Sequence, residues 1–241
     1  MQLSVFGLDY VGAASAGCLA SQGHEVIAVD PDLDKVEMVR RGVAPVNEPG
    51  LGRLVREAIG AGRLRATTDL AAAIAHSSLT AICAGTTDRQ DRHDLSLTLA
   101  LCEEIGEALR DKPKFHAIVV RSALRPGTMR NFVVPALEQA SGKRAGADFG
   151  IGVYPEFLRR GSAVEDYVNP PAIILGVSDD ETLARLREMD IALQAPEIVV
   201  ELDEAEAMMQ ANRRLPPPRP ALQRLVALPA LPMLAGNLCS R

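Results

Sequence analysis

Along residues 1–200, short runs of apolar residues alternate with longer stretches in which apolar positions recur every three or four residues. The short runs are typical of strands buried on both faces of a sheet, and the longer spacing is typical of helices that bury one face. The predicted strands are 3–6, 26–29, 79–83, 117–120, 149–153 and 173–175. The predicted helices are 11–22, 33–41, 51–59, 70–75, 95–109, 129–139 and 181–193. This alternation predicts an α/β domain of the Rossmann type, a doubly wound parallel sheet, over residues 1–200.

The pattern changes beyond residue 200. Residues 203–211 are compatible with one more helix, but prolines then stand at positions 216, 217, 218, 220, 229 and 232. Proline lacks the backbone N–H and clashes with the preceding helical turn, so it excludes a continuous helix or a central strand. An irregular, Pro-rich C-terminal tail is therefore predicted.

The first predicted strand leads into the glycine pattern of a dinucleotide-binding loop. Gly7 ends the strand, Gly12 lies near the start of the helix, and Asp30 closes the second strand. In such a unit the first glycine permits a tight turn, the last lets helix and strand approach, and the helix amides face a pyrophosphate. A carboxylate at position 30 accepts hydrogen bonds from the adenosine ribose and repels a 2′-phosphate. The pattern predicts NAD rather than NADP as cofactor.

Asp9 occupies the place of the middle glycine in the G-x-G-x-x-G pattern. Glycine there lets the backbone come close to the pyrophosphate, whereas Asp adds bulk and a negative charge. At roughly 5 Å and an effective dielectric of about 20, two like charges repel by about 3 kcal/mol, on the order of 100-fold in affinity. We expect the fold to be retained and the cofactor affinity to be reduced.

Composition and charge exclude several classes of partner. With 47% hydrophobic residues, the 241-residue chain can bury a large core, and its net charge of -5 gives no basic surface for nucleic acid. The four cysteines lie far apart and no histidine has metal-ligand spacing, so neither a disulfide framework nor a metal site is predicted. The apolar N-terminus lacks the basic start of a secretory signal, and no apolar run reaches bilayer-spanning length. A cytoplasmic protein without a membrane partner is expected.

Several separate motifs in one order resemble the nucleotide-sugar 6-dehydrogenases, the family of the UDP-glucose and GDP-mannose enzymes. The motifs are GLDYVG at 7–12, EVIAVD at 25–30, EPGL at 48–51, AICAGT at 81–86 and YPEFL at 154–158. The stretch 141–167 is most similar to the GDP-mannose branch of the family. The resemblance extends from residue 1 to about residue 209.

The resemblance implies a four-electron oxidation of a sugar C6 alcohol to a carboxylate, using two NAD and a cysteine that holds the aldehyde as a thiohemiacetal. GDP-mannose is the first expectation for the nucleotide-sugar substrate and UDP-glucose the second. Glu156 stands at the family's carboxylate that organises water and substrate, and is the implied catalytic residue. The implied cofactor-binding residues, with those of the glycine pattern, are Gly7, Tyr10, Val11, Gly12, Asp30, Lys35 and Thr86.

The chain also departs from the family pattern. Ala123 replaces a residue with a hydroxyl near the nicotinamide, Tyr154 replaces an asparagine, and Arg160 replaces a second glutamate. Residues 207–210 lack the lysine of the family's Glu-Met-Ile-Lys helix start.

Residues 201–241 are expected to be a truncated or degenerate start of the family's central helical region. A reading-frame disturbance over about residues 210–235 would explain this, because residues 236–241 again resemble that region. The nucleophile loop and the sugar-nucleotide domain are then missing, and a homodimer would have to form through a damaged helix.

Two interpretations remain open: an active NAD-dependent dehydrogenase, or a catalytically inactive nucleotide-binding remnant of one. The motifs at 48–51 and 154–158 disfavour other Rossmann dehydrogenases. Cys18, Cys83 and Cys102 are interpreted as small core residues rather than nucleophiles. Arg159 and Arg160 are either phosphate ligands or an ordinary exposed pair.

Overall fold

The computed structural model describes residues 1–84 and 95–214, with side chains up to residue 210. Its strands are β1 (Gln2–Phe6), β2 (Glu25–Val29), β3 (Leu64–Thr67), β4 (Leu79–Ile82), β5 (Ala117–Val120), β6 (Gly150–Val153), β7 (Ile173–Val177) and β8 (Glu197–Val200). Its helices are α1 (Tyr10–Ser21), α2 (Leu33–Arg40), α3 (Leu51–Gly60), α4 (Leu70–Ala75), α5 (Ser96–Arg110), α6 (Val134–Ser141), α7 (Ala163–Val168), α8 (Asp180–Met189) and α9 (Leu202–Arg214). A π-helical turn, Met129–Val133, runs directly into α6.

The described strands form one sheet in the order β3-β2-β1-β4-β5-β6-β7-β8. Strands β1 to β6 are parallel, so their carboxyl ends lie along one edge of the sheet. This order and direction confirm the predicted Rossmann-type α/β fold.

One strand departs from the expected parallel arrangement. β7 runs antiparallel to β6, and β8 is parallel to β7. The connection from β6 to β7 contains only the short α7 and does not cross to the other edge of the sheet. Residues 154–172 therefore remain at the carboxyl edge, on the side where Rossmann sheets bind ligands.

Two apolar cores lie on opposite faces of the sheet. Helices α1, α2, α3, α7 and α8 cover one face, and α4, α5, α6 and α9 cover the other. Adjacent strand residues alternate between them: Val5 packs in the first core and Phe6 in the second. Leu202, Ala205 and Met209 bury one side of α9 in the second core.

The sequence pattern missed two strands and one helix. β3 and β8 each pair with only one described neighbour; Arg65 interrupts the apolar residues of β3, and β8 is only partly buried. α7 has only six residues, and Glu165 and Asp166 separate its apolar residues, whereas the equally short α4 is apolar throughout. The further helix expected at 203–211 is present as α9, and the predicted Pro-rich tail beyond residue 214 lies outside the described residues.

Among the described helices, none combines the length and apolar character needed to cross a bilayer.

Candidate functional site

The turn between β1 and α1 has the shape of a dinucleotide-binding loop. Gly7 has a φ of 93°, and a Cβ at this position would lie 2.9 Å from the backbone nitrogen of Ala84. A Cβ on Gly12 would overlap the carbonyl oxygen of Gly7. Asp9 has φ −74° and ψ −176°, an extended conformation open to any residue, so the turn tolerates the loss of the middle glycine. The space that a pyrophosphate-binding turn requires is thus retained at Gly7 and Gly12.

The carboxylate of Asp30 is fixed directly beside this turn. Oδ2 accepts a hydrogen bond from the Leu8 N–H at 2.6 Å, and Oδ1 accepts one from the Asp32 N–H at 2.9 Å. Asp30 is only 5% exposed; Oδ2 also accepts from Lys35 Nζ at 3.5 Å, and Oδ1 is the oxygen with capacity for a further hydrogen bond. The arrangement presents a carboxylate oriented by two backbone amides at the end of β2, where a ribose hydroxyl donates in such folds.

Lys35, in the first turn of α2, joins Asp9 to Asp30. Its Nζ lies 2.9 Å from Asp9 Oδ1 and 3.5 Å from Asp30 Oδ2. Partial burial opposes the charge of Lys35, but the two carboxylates outweigh this effect and hold its pKa above the ordinary value. In the folded chain the Asp9 carboxylate is therefore paired with Lys35, and this pairing reduces its repulsion of a bound anion.

Tyr10 begins α1 and contacts the connection that follows β6. The guanidinium carbon of Arg160 lies 4.5 Å from the centre of the Tyr10 ring, within the range of a cation–π contact. Tyr10 and Val11 are half-buried and pack against the first core. The helix start is thus in contact with the segment that carries Glu156.

Glu48 also binds the connection that follows β6, through hydrogen bonds to its backbone. Both of its carboxylate oxygens lie 2.9 Å from the Gly161 nitrogen, and Oε2 also accepts from the Ala163 N–H at 3.2 Å. Glu48 is only 8% exposed. The EPGL motif at 48–51 and the YPEFL motif at 154–158 therefore belong to segments that are bound to each other.

Glu156 lies at the carboxyl edge, two residues after Tyr154. Its Oε2 accepts a hydrogen bond from the Leu158 N–H at 2.6 Å. Burial, followed by the charge of Glu156, raises the pKa of the Cys83 thiol to about 11, although Arg121 opposes the increase. Cys83 lies against Gly12, at the glycine turn.

A buried charged cluster supports the Glu156 segment, and the sequence interpretation missed it. The Arg121 guanidinium, on a residue 3% exposed, lies 4.4 Å from the centre of the Tyr154 ring and 5.3 Å from that of Tyr167. Burial raises the pKa of Asp190 to about 6, although Arg121 lowers it in part. Arg121 directly follows β5, a position that signals a functional edge, whereas nothing in the sequence around Asp190 indicates a buried carboxylate.

The described cysteines do not provide a nucleophile. Cys18, Cys83 and Cys102 are buried, and burial is the main cause that raises their thiol pKa values to about 12, 11 and 12. This agrees with their interpretation as core residues. Within residues 1–84 and 95–210 no group of acidic, histidine or cysteine side chains could hold a metal ion.

The predicted cofactor residues come together as far as the structure describes them. Gly7, Gly12, Asp30 and Lys35 surround one turn, and Tyr10 and Val11 open the adjoining helix. Thr86 lies outside the described residues.

Comparison with known proteins shows a consistent similarity. The chain is 46% identical over 208 residues to GDP-mannose 6-dehydrogenase of Pseudomonas putida, covering 86% of this chain and 47% of that protein. It is 38% identical over 218 residues to a UDP-glucose 6-dehydrogenase of Haloferax volcanii, covering 88% and 50%. The crystal structure of a ternary complex of GDP-mannose dehydrogenase from Pseudomonas aeruginosa is similar with a TM-score of 0.86 and 42% identity, over 89% of this chain and 49% of that one.

The chain spans about half the length of the curated relatives it matches. Residues 1–192 match the UDP-glucose/GDP-mannose dehydrogenase family, NAD binding domain. The resemblance predicted from the motifs is thereby confirmed: the chain belongs to the UDP-glucose/GDP-mannose dehydrogenase family through its NAD-binding domain.

Proposed function

We propose that this chain binds NAD at the carboxyl ends of β1 and β2 and forms the cofactor half of a nucleotide-sugar 6-dehydrogenase. The observation that carries the proposal is the Asp30 carboxylate, oriented by the Leu8 and Asp32 amides beside the Gly7 turn. A ribose diol donates to such a carboxylate, and the start of α1 faces the pyrophosphate. When bound, NAD supplies the acceptor for hydride.

The residues present fit this cofactor. Gly7 and Gly12 keep open the space that a Cβ would fill, and Tyr10 and Val11 begin the helix. Asp32 and Asp34 add negative charge beside Asp30, which disfavours the 2′-phosphate of NADP. Lys35 would contact the adenosine side, and Thr86 is proposed as a further cofactor contact on the grounds of the family motif.

The substrate proposed for the complete enzyme is GDP-mannose. Identity is 44–46% to GDP-mannose 6-dehydrogenases and 36–38% to UDP-glucose 6-dehydrogenases, and this difference supports GDP-mannose over UDP-glucose. The overall reaction consumes the alcohol, one water and two NAD⁺ and yields the acid, two NADH and two protons. Glu156 is proposed to orient that water and the sugar, because its carboxylate lies at the ligand-binding edge.

Calorimetric titration with NAD tests the binding proposal, with Asp30→Asn as the variant and Asp34→Asn as the matched control. Loss of one oriented acceptor should weaken NAD binding about tenfold or more at position 30. The control should bind NAD nearly as tightly as the wild type. NAD binding that is the same in all three proteins would contradict the proposal.

A second candidate, nucleotide binding without turnover, is favoured by the burial and raised thiol pKa values of the described cysteines. An assay of NADH formation from GDP-mannose, with UDP-glucose in parallel, separates the two candidates. NADH formation above the enzyme-free control supports the dehydrogenase, and NAD binding without NADH supports the second candidate.

A further inference from the structure

Two departures from the family flank the same residue, Tyr10. Asp9 precedes it along the chain, and the Arg160 guanidinium lies over its ring at 4.5 Å. This chain therefore has a carboxylate in the turn and an arginine in the facing segment. Tyr10 is the first residue of the 12-residue α1, whose amino end faces the proposed pyrophosphate.

The backbone on both sides of Arg160 is fixed. The N–H of Gly161 donates to Glu48, and the N–H of Arg159 donates to Asp166 Oδ2 at 3.0 Å. The cation–π contact holds the exposed Arg160 side chain against the Tyr10 ring. This contact reduces part of the conformational freedom that the side chain loses when it binds a ligand.

The two neighbouring arginines differ in charge pairing. Arg159 forms an ion pair with Asp166, with 2.6 Å between Nη2 and Oδ1. Arg160 has no acidic partner among the described side chains, and the nearby Asp9 is already paired with Lys35. The guanidinium of Arg160 is therefore available to an anion at the start of α1.

We propose that Arg160 is a cofactor-binding residue, whose guanidinium binds the diphosphate of NAD beside the turn that carries Asp9. The inference rests on the proposed NAD binding. Its chemistry is that of a planar cation with several N–H donors, which suits phosphate oxygens. A nucleoside-diphosphate sugar carries the same diphosphate group, so the test must distinguish the two sources.

The experiment is titration with NAD of Arg160→Ala, Arg160→Lys and the control Arg159→Ala, each in the wild type and in Asp9→Gly. Arg160→Ala should weaken NAD binding about tenfold at low salt, Arg160→Lys should recover part of the loss, and Arg159→Ala should have little effect. The difference in NAD affinity between the wild type and Arg160→Ala should decrease as the salt concentration is raised, because screening weakens a contact between charges. A purely structural role would not show that salt dependence.

Each contrary result has a distinct meaning. Suppose the wild type or Asp9→Gly binds NAD. If adding Arg160→Ala leaves NAD affinity unchanged, or lowers it by an amount that does not depend on salt, the inference on Arg160 is overturned and the proposed function is not. If Arg160→Ala weakens binding of GDP but not of NAD, the arginine serves the nucleotide sugar and the cofactor assignment is overturned. If neither the wild type nor Asp9→Gly binds NAD, the proposed function fails, and the inference with it.

Discussion

At the scale of single residues, Asp9 shows how neighbouring groups compensate for a departure from the glycine pattern. From the sequence, its carboxylate is an unopposed charge beside a pyrophosphate. In the structure Lys35 contacts it at 2.9 Å, and the backbone of Asp9 adopts an ordinary extended conformation. The sequence identified the residue as a departure, but the ion pair depends on how α2 is placed after β2, and no local pattern predicts that placement.

Removal of the Asp9 carboxylate should strengthen NAD binding. We expect Asp9→Gly to raise affinity by roughly 10-fold, less than for an unpaired charge, because one negative charge leaves the site and Lys35 is released. Asp9→Asn keeps the bulk without the charge and should give most of the gain. Calorimetry measures both variants, and an unchanged affinity in Asp9→Gly would show that Asp9 does not limit binding.

His116 makes a second prediction at this scale, for stability. It is fully buried, with Nε2 2.8 Å from Thr80 Oγ1 and Nδ1 3.1 Å from the Ser77 carbonyl oxygen. Burial, reinforced by Lys112, lowers its pKa from the ordinary 6.5 to about 3. The unfolded chain therefore binds this proton at a higher pH than the folded chain does, and acid favours unfolding.

The contribution of His116 is fully present above pH 6.5 and is lost as pH falls from there towards 3. Urea denaturation between about pH 7 and about pH 5 should show a loss of up to about 1.4 kcal/mol per pH unit from this residue. His116→Gln, neutral at every pH, should show a smaller loss over the same range. Equal pH dependence in the two proteins would rule out a buried neutral histidine.

At the scale of elements, α9 is joined to the connection between β5 and α6. Glu206, fully buried on α9, accepts hydrogen bonds from the Gly127 N–H at 2.6 Å and the Met129 N–H at 2.8 Å. The Gln210 side chain donates to the Leu124 carbonyl oxygen at 2.8 Å. This loop includes Ala123, whose position in the family lies near the nicotinamide, so we expect α9 to influence the shape of the cofactor edge.

Glu206→Gln should destabilise the fold by roughly 2 to 4 kcal/mol, because an amide nitrogen replaces one acceptor facing two buried N–H groups. Glu204→Gln is the matched control on the same helix, since Glu204 is exposed. Chemical denaturation reports both changes. A Glu206→Gln protein as stable as the control would mean that the two hydrogen bonds contribute nothing measurable.

The sequence predicted best those elements that are fully buried and therefore apolar in composition. β5, for example, is apolar throughout and buried at every position, and its predicted bounds 117–120 match those observed. β8 is only half-buried at a sheet edge, and its strand character depends on pairing with β7, a contact that no local period reveals. The antiparallel direction of β7 was also beyond the sequence pattern, because direction follows from the path of residues 154–172.

At the scale of the whole molecule, four distant segments form one edge. They are the turn at 7–12, the end of β2 with Asp30, the EPGL motif at 48–51 and the connection after β6, and they are joined through Lys35, Glu48 and Arg160. The glycine pattern and Asp30 were sufficient to predict the fold and the cofactor. The joining contacts required the folded chain, because the Lys35–Asp9, Glu48–Gly161 and Arg160–Tyr10 contacts link residues 26, 113 and 150 positions apart.

The most direct test of the central claim is a calorimetric comparison of NAD with NADP on the wild-type chain. The oriented Asp30 carboxylate should accept the ribose of NAD and repel the 2′-phosphate of NADP. The expected result is measurable NAD binding with NADP at least about tenfold weaker. Equal or tighter binding of NADP, or no binding of either dinucleotide, would contradict the assignment of this edge as an NAD site.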